Sequence, residues 1–133
     1  MVTCPPSLPQ LSLGAARARV ATVQVPRTEK FDIDPDAIIT AMHRQSNIKM
    51  VAFSSPNNPT GSVTNHTAIV KLLQTGIWVL VDETYFEFCD RSIAPFVTEF
   101  DNLVVMRSFG PWAGLHGLPV GYALASNRVV ARL

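Results

Sequence analysis

Three short polar clusters carry the residue types able to do chemistry: Ser54-Ser55-Pro56-Asn57-Asn58, Asp82-Glu83-Thr84-Tyr85, and Arg107-Ser108. Together they offer a carboxylate, a phenol, a carboxamide and a hydroxyl, a set suited to holding a small polar molecule. Each cluster follows directly on a short apolar run, ending at Phe53, Val81 and Met106. Each also has a plainer reading taken alone. Pro56-Asn57-Asn58-Pro59 is a turn sequence, Asp82 can cap the segment after it, and Tyr85 can belong to a core. Their repeated position at the ends of successive apolar runs is what points to a site.

The intervening elements must bring these clusters together. Val20 to Val25 alternates apolar and polar residues, as a strand does. Asp34-Pro35 has the signature of a helix start, with Ile38, Ile39 and Met42 as the apolar stripe. Ile48 to Phe53 and Ile77 to Val81 are apolar enough to be strands buried on both faces. Asn65 to Leu73 has helical spacing, and Gly76 follows it as a stop. Phe96 to Phe100 suggests a short helical piece, and Leu103 to Met106 another strand. A glycine-rich loop covers Gly110 to Gly117, then Val120 to Ala125 reads as a last strand and Asn127 to Leu133 as a helix. This order predicts an α/β fold, a mostly parallel sheet with flanking helices. All three clusters then emerge at the carboxyl edge of that sheet, where open α/β sheets bind ligands.

Composition excludes several other functions. A formal net charge of +1 over 133 residues leaves no electrostatic footprint for nucleic acid. No apolar run is long enough to span a membrane. Cys4 and Cys89 are too few for a disulfide scaffold, which makes a reducing, cytoplasmic compartment the default. His43, His66 and His116 lack metal-ligand spacing, and no glycine-rich nucleotide fingerprint occurs. His43 and His66 read as exposed helix residues. The first 28 residues carry no acid but include Arg17, Arg19 and Arg27, a faint likeness to an organelle transit peptide. The strand reading of Arg19 to Pro26 is preferred. Asn65-His66-Thr67 matches a glycosylation sequon without a secretion signal to support it.

Three motifs resemble a known family. Ser55-Pro56-Asn57-Asn58-Pro59-Thr60-Gly61, Val81-Asp82-Glu83-Thr84-Tyr85, and Arg107-Ser108-Phe109 leading to Gly114 through Tyr122 are similar in order and spacing to class I/II aminotransferases. These are fold-type I enzymes that use pyridoxal 5′-phosphate, and the likeness is to the histidinol-phosphate aminotransferases among them. It covers roughly Ala21 to Ala125. The resemblance implies that Asn58 and Tyr85 hydrogen-bond the phenolic oxygen of the cofactor. It implies that Asp82 pairs with the pyridine nitrogen and keeps it protonated, and that Ser108 donates to the phosphate. It further implies amino acid and 2-oxo acid substrates, and a cis Asn58–Pro59 bond.

The sequence departs from the family pattern at decisive positions. Pro111 stands where the lysine that forms the Schiff base is expected, Gly110 where a serine precedes it, and Pro119 where an arginine clamps the phosphate. Proline has neither an amine nor a backbone N–H to offer. Lys49 begins its strand, about five residues before the site edge and so roughly 16 Å away at about 3.3 Å per residue. Lys71 lies within a helix and Lys30 in a surface loop, so no catalytic residue is assigned. Family members are longer, with an upstream phosphate loop and a downstream small domain. Residues 1–133 therefore read as a single partial domain, a piece of the large, cofactor-binding domain. Leu8 or Leu11 falls near where an aromatic would stack on the ring. The expected function is an aminotransferase-like domain, inactive or incomplete as this chain. The alternative is a non-catalytic module that binds pyridoxal phosphate or another phosphate ligand, or that forms a homodimer or pairs with a full-length relative. An unrelated α/β domain with chance motif matches is a third reading.

Overall fold

Strand alternation fixes which side of the sheet becomes the core. Val51 and Phe53, Val79 and Val81, and Leu103 and Val105 lie two residues apart on neighbouring strands, and all are buried. Side chains two apart on a strand share a face. The computed structural model describes residues 1–118 and 120–132. Its strands are β1 (Val2–Thr3), β2 (Val23–Gln24), β3 (Met50–Ser54), β4 (Trp78–Asp82), β5 (Leu103–Ser108) and β6 (Gly121–Ala125). Its α-helices are α1 (Gln10–Arg17), α2 (Pro35–Arg44), α3 (His66–Leu73), α4 (Gly110–Ala113) and α5 (Asn127–Val130). Two 3₁₀ turns, Phe86–Phe88 and Ala94–Thr98, lie between β4 and β5.

The six strands form one sheet in the order β2-β1-β3-β4-β5-β6. β1 to β5 run parallel, and β6 pairs antiparallel to β5. The expected α/β, mostly parallel architecture is therefore the one found. Gly121 permits the close pairing of β6, because a Cβ there would meet the Arg107 carbonyl oxygen at 2.7 Å. Asp34 caps α2 as expected, its Oδ1 accepting from the Asp36 and Ala37 amides. Asn65 caps α3 by accepting from the Thr67 amide, so the sequon asparagine has a local structural task.

Several expectations need correction. The strand expected over Val20 to Val25 shrinks to Val23–Gln24. Upstream of that strand, where no element is expected, the chain forms β1 and α1, with Val2 and Cys4 in the core. The glycine-rich loop opens with one helical turn, α4. His66 is half-buried, its ring edge-on to Phe96. The last helix closes at Val130, and Leu133 lies outside the described residues. The expected burial of the sheet on both faces holds in full for one face and in part for the other. Ile38 of α2 and Ile69, Leu72 and Leu73 of α3 belong to the core beside the first face. On the other, Ala52 is buried but Met50, Leu80, Val104 and Met106 stay half-buried. An apolar hollow of about 540 Å³ opens there, lined by Leu11, Ala15, Met50, Leu80 and Met106 among others.

Candidate cofactor site at the carboxyl edge

The segment after β3 is a braced loop. Ser54, Ser55 and Asn57 are buried polar residues, and each is held. The Ser55 amide donates to the Asp82 carbonyl at 3.0 Å, and the Asn57 amide to the Ser62 carbonyl at 2.9 Å. Ser55 Oγ accepts from the Thr64 amide at 2.9 Å. Asn57 Nδ2 donates to the Pro6 carbonyl and to Thr60 Oγ1. The Ser55–Pro56 and Asn58–Pro59 bonds are cis. With its neighbour Asn57 turned inward, Asn58 is the carboxamide left facing outward. Its Nδ2 donates to Tyr85 Oη at 2.9 Å.

Beneath this loop lies Arg27, whose importance the sequence did not reveal. It is buried and donates to the carbonyls of Cys4, Phe31 and Ser54 at 3.2, 3.1 and 2.9 Å. Burial pulls its pKa below the ordinary arginine value, against the opposing pull of Cys4 and Asp32. The same burial raises the Cys4 thiol to about 11, with Arg27 acting the other way.

After β4, two neighbouring carboxylates take opposite directions, as strand alternation requires. Glu83 is 1% exposed. Its carboxylate accepts from Ser92 Oγ, the Ile93 amide, and Arg107 Nε and Nη2 at 3.1 and 2.9 Å. The guanidinium carbon of Arg107 lies 3.7 Å from the centre of the Phe86 ring. Burial opposes the charge on Arg107, but its contacts with Tyr122 and Glu83 outweigh that and raise its pKa. Asp82 faces the other way. Its Oδ1 accepts from the Thr84 amide at 3.0 Å, the capping task of the plainer reading. Its Oδ2 takes no hydrogen bond among the described residues, so one oxygen remains available.

Asp82, Tyr85 and Ser108 line one cleft of about 320 Å³, together with Ser54, Pro111 and His116. Asn58 borders the adjoining hollow and reaches the cleft through its bond to Tyr85. The structure thus brings all four expected residues to one edge. Ser108 Oγ accepts from the Gly110 amide at 3.1 Å and keeps its hydrogen free to donate. Pro111 does line the cleft, in the first turn of α4. Pro119 lies outside the described residues. Of the two leucines near the expected aromatic position, Leu8 lines the cleft and Leu11 does not. Sequence reading missed the Glu83–Arg107 pair, although both residues sit inside quoted motifs. Their adjacency to Asp82 and Ser108 on alternating strands was the available signal.

None of the lysines lines the cleft. Lys49 Nζ donates to the Ser46 carbonyl, Lys71 pairs with Asp36 at 2.7 Å, and Lys30 is exposed. No cluster of metal-ligating side chains occurs among the described residues. No helix among them is long and apolar enough to cross a membrane.

Known proteins share the sequence and the fold of this chain. The aminotransferase class I and II family matches residues 1–133. The histidinol-phosphate aminotransferase of Roseiflexus castenholzii is 41% identical over 133 residues, covering 100% of this chain and 36% of that one. The structure of histidinol-phosphate aminotransferase from Clostridium acetobutylicum superposes with a TM-score of 0.87 at 22% identity, over 98% of this chain and 40% of that chain. The Sinorhizobium meliloti histidinol-phosphate aminotransferase, in complex with pyridoxal-5′-phosphate, has a TM-score of 0.79 at 24% identity, over 94% of this chain and 35% of that one. The chain spans between a third and two fifths of the length of these relatives. Its fold and its match along the whole length make it a member of the aminotransferase class I and II family.

Proposed function

We propose that this chain is the ring-binding part of a pyridoxal 5′-phosphate site of the histidinol-phosphate aminotransferase kind, and that it does not transaminate as it stands. The observation that carries the reading is the 2.9 Å bond from Asn58 to Tyr85, which joins two motifs at the mouth of the cleft lined by Asp82 and Ser108. The donor set fits the ring of the cofactor. Asn58 and Tyr85 would hold its phenolic oxygen, the free oxygen of Asp82 its protonated nitrogen, and Ser108 its phosphate. A bound ring with a protonated nitrogen draws electrons from the α-carbon of an amino acid. The chain's own part is to orient the ring and keep that proton at the nitrogen next to Asp82. The donor set does not fit the covalent tether, because Pro111 has no amine. In a complete enzyme the reaction would move an amino group between an amino acid or a histidinol-phosphate-like amine and a 2-oxo acid. The free thiols Cys4 and Cys89 agree with a reducing, cytoplasmic setting.

The test is a titration of the intact chain with pyridoxal 5′-phosphate, followed by absorbance. Saturable binding that Asp82→Ala weakens about tenfold or more is expected, the range for a charge-assisted hydrogen bond. Equal binding by Asp82→Ala overturns the site. Measurable amino-group transfer from an amino acid to a 2-oxo acid overturns the claim of inactivity.

A second reading, dimerisation, is favoured by the half-covered sheet face and the open edges at β2 and β6. Sedimentation of the chain as a monomer at all concentrations would remove it.

A further inference from the structure

We propose that Arg107 is a positioning residue for the ring site. From behind the cleft it clamps the turn from Glu83 to Phe86, and so sets where the Tyr85 hydroxyl meets Asn58. This rests on the ring-site reading above and adds a residue that acts on the ligand only through another.

One guanidinium reaches the chain neighbours of three site residues. Its Nε and Nη2 donate to Glu83 Oε2 at 3.1 and 2.9 Å, and Glu83 follows Asp82. Its carbon lies 3.7 Å from the centre of the Phe86 ring, and Phe86 follows Tyr85. Arg107 itself precedes Ser108. Asp82, Tyr85 and Ser108 line the cleft, whereas Glu83, Phe86 and Arg107 do not. Successive side chains on a strand face opposite sides, so neighbours of Asp82 and Ser108 can meet behind the cleft. The contact extends to Ser92, whose Oγ accepts from Arg107 Nη2 at 2.8 Å.

The three site residues differ in what else holds them. Asp82 sits in β4, where its carbonyl accepts from the Ser55 amide at 3.0 Å, and the Glu83 amide donates to the Met106 carbonyl at 2.8 Å. Ser108 ends β5, in register with Gly121 of β6. Tyr85 lies beyond the strand. The bonds from the Thr84 amide to Asp82 Oδ1 and from the Phe86 amide to the Glu83 carbonyl close its turn on itself. They shape the turn without fixing its tilt against the sheet. Arg107 supplies that tilt, reaching over from β5 to hold Glu83 at the start of the turn and to cover Phe86 at its end. A guanidinium can do both at once, because it has donors along its edge and a flat face for a ring. Phe88, 6.2 Å from the Tyr85 ring, belongs to the same stretch of chain and is exposed, so it gives no anchor of its own.

The experiment is a double-mutant cycle on pyridoxal 5′-phosphate binding, with dissociation constants from calorimetry and folding of each variant checked by circular dichroism. Phe86→Leu removes the ring under the guanidinium and keeps the ion pair. It is expected to weaken binding about threefold or more, the range for a cation–ring contact. Tyr85→Phe, which removes only the hydroxyl, is expected to weaken it about fivefold, as for one hydrogen bond. The double variant is expected to bind within about 1.5-fold of Tyr85→Phe, because a clamp acting through the hydroxyl has nothing left to set. Arg107→Lys keeps the charge but loses the fork and the flat face, and is expected to cost about fivefold or more, again only while the Tyr85 hydroxyl is present. A merely structural role predicts losses that multiply. That result overturns the inference and leaves the ring site standing. So does unchanged affinity in both Phe86→Leu and Arg107→Lys. No saturable binding by the unmodified chain overturns the ring site and the inference together. Should Arg107→Lys fail to fold, the Phe86→Leu cycle decides alone.

Discussion

The two loops that frame the cleft are built in opposite ways. The loop after β3 is buried and cross-bonded, with Ser54, Ser55, Asn57 and Thr64 inside and Arg27 holding its base. In the loop after β5, residues 112–118 are exposed, and its internal bonds are turns such as Leu118 N to Leu115 O. Asn58, Asp82 and Tyr85 stand on or beside the first kind of support, whereas Pro111 begins the second. Of the departures from the family pattern, Pro111 is half-buried where that loop begins and Gly110 just before it is buried. Residues that pack are constrained by neighbours as well as by chemistry. Residues on an exposed loop answer to chemistry alone, and lose their identity without cost to the fold.

That contrast can be broken by measurement. The largest effect is expected from Glu83→Ala, which strands the Arg107 guanidinium beside an empty buried position. A loss of about 3–5 kcal/mol in urea unfolding is expected, and a loss under 1 kcal/mol would show that the brace under Asp82 is dispensable. Arg27→Met leaves the carbonyls of Cys4, Phe31 and Ser54 without that donor. It should lower stability by about 2–3 kcal/mol.

The Cys4 thiol gives a pH signature of the braced side. Its folded pKa of about 11 lies above the ordinary value of 9.0, so the folded state holds the proton more tightly. The associated stability is complete below pH 9 and is lost as pH rises through 11, on the order of 3 kcal/mol. Cys4→Ala should flatten that part of the stability–pH curve. The smallest effect is expected in the exposed loop, where Leu118→Ser should change stability by less than about 0.5 kcal/mol.

Local signals were legible, and distant pairings were not. Asp34-Pro35 and Asn65 announce α2 and α3, because capping is an interaction within a few residues. β3, β4 and β5 begin and end close to their apolar runs, since burial is written into composition. β1 has two residues, too few for any period, and α1 buries only Ala15, so its stripe is faint. The antiparallel direction of β6 cannot be read from alternation, which is the same in both directions. The site residues Asn58, Asp82, Tyr85 and Ser108 were legible as a set because parallel strands gather their ends. Arg27 and the Glu83–Arg107 pair were not, because burial of their charges depends in part on distant partners, Ser54 for one and each other for the second. The partial cover of the second sheet face was missed because apolar strands look alike whether or not a helix lies over them.

The position of β1 also sets how far along the chain its two partners lie. It lies between β2 and β3, pairing Val2 with Val23 on one side and with Val51 on the other. β1 is thus a strand with neighbours on both sides, and the second of them, β3, comes only after α1, β2 and α2 in the chain. Contacts between segments so far apart form late and slowly. Until β3 pairs with it, β1 has a sheet neighbour on one side alone.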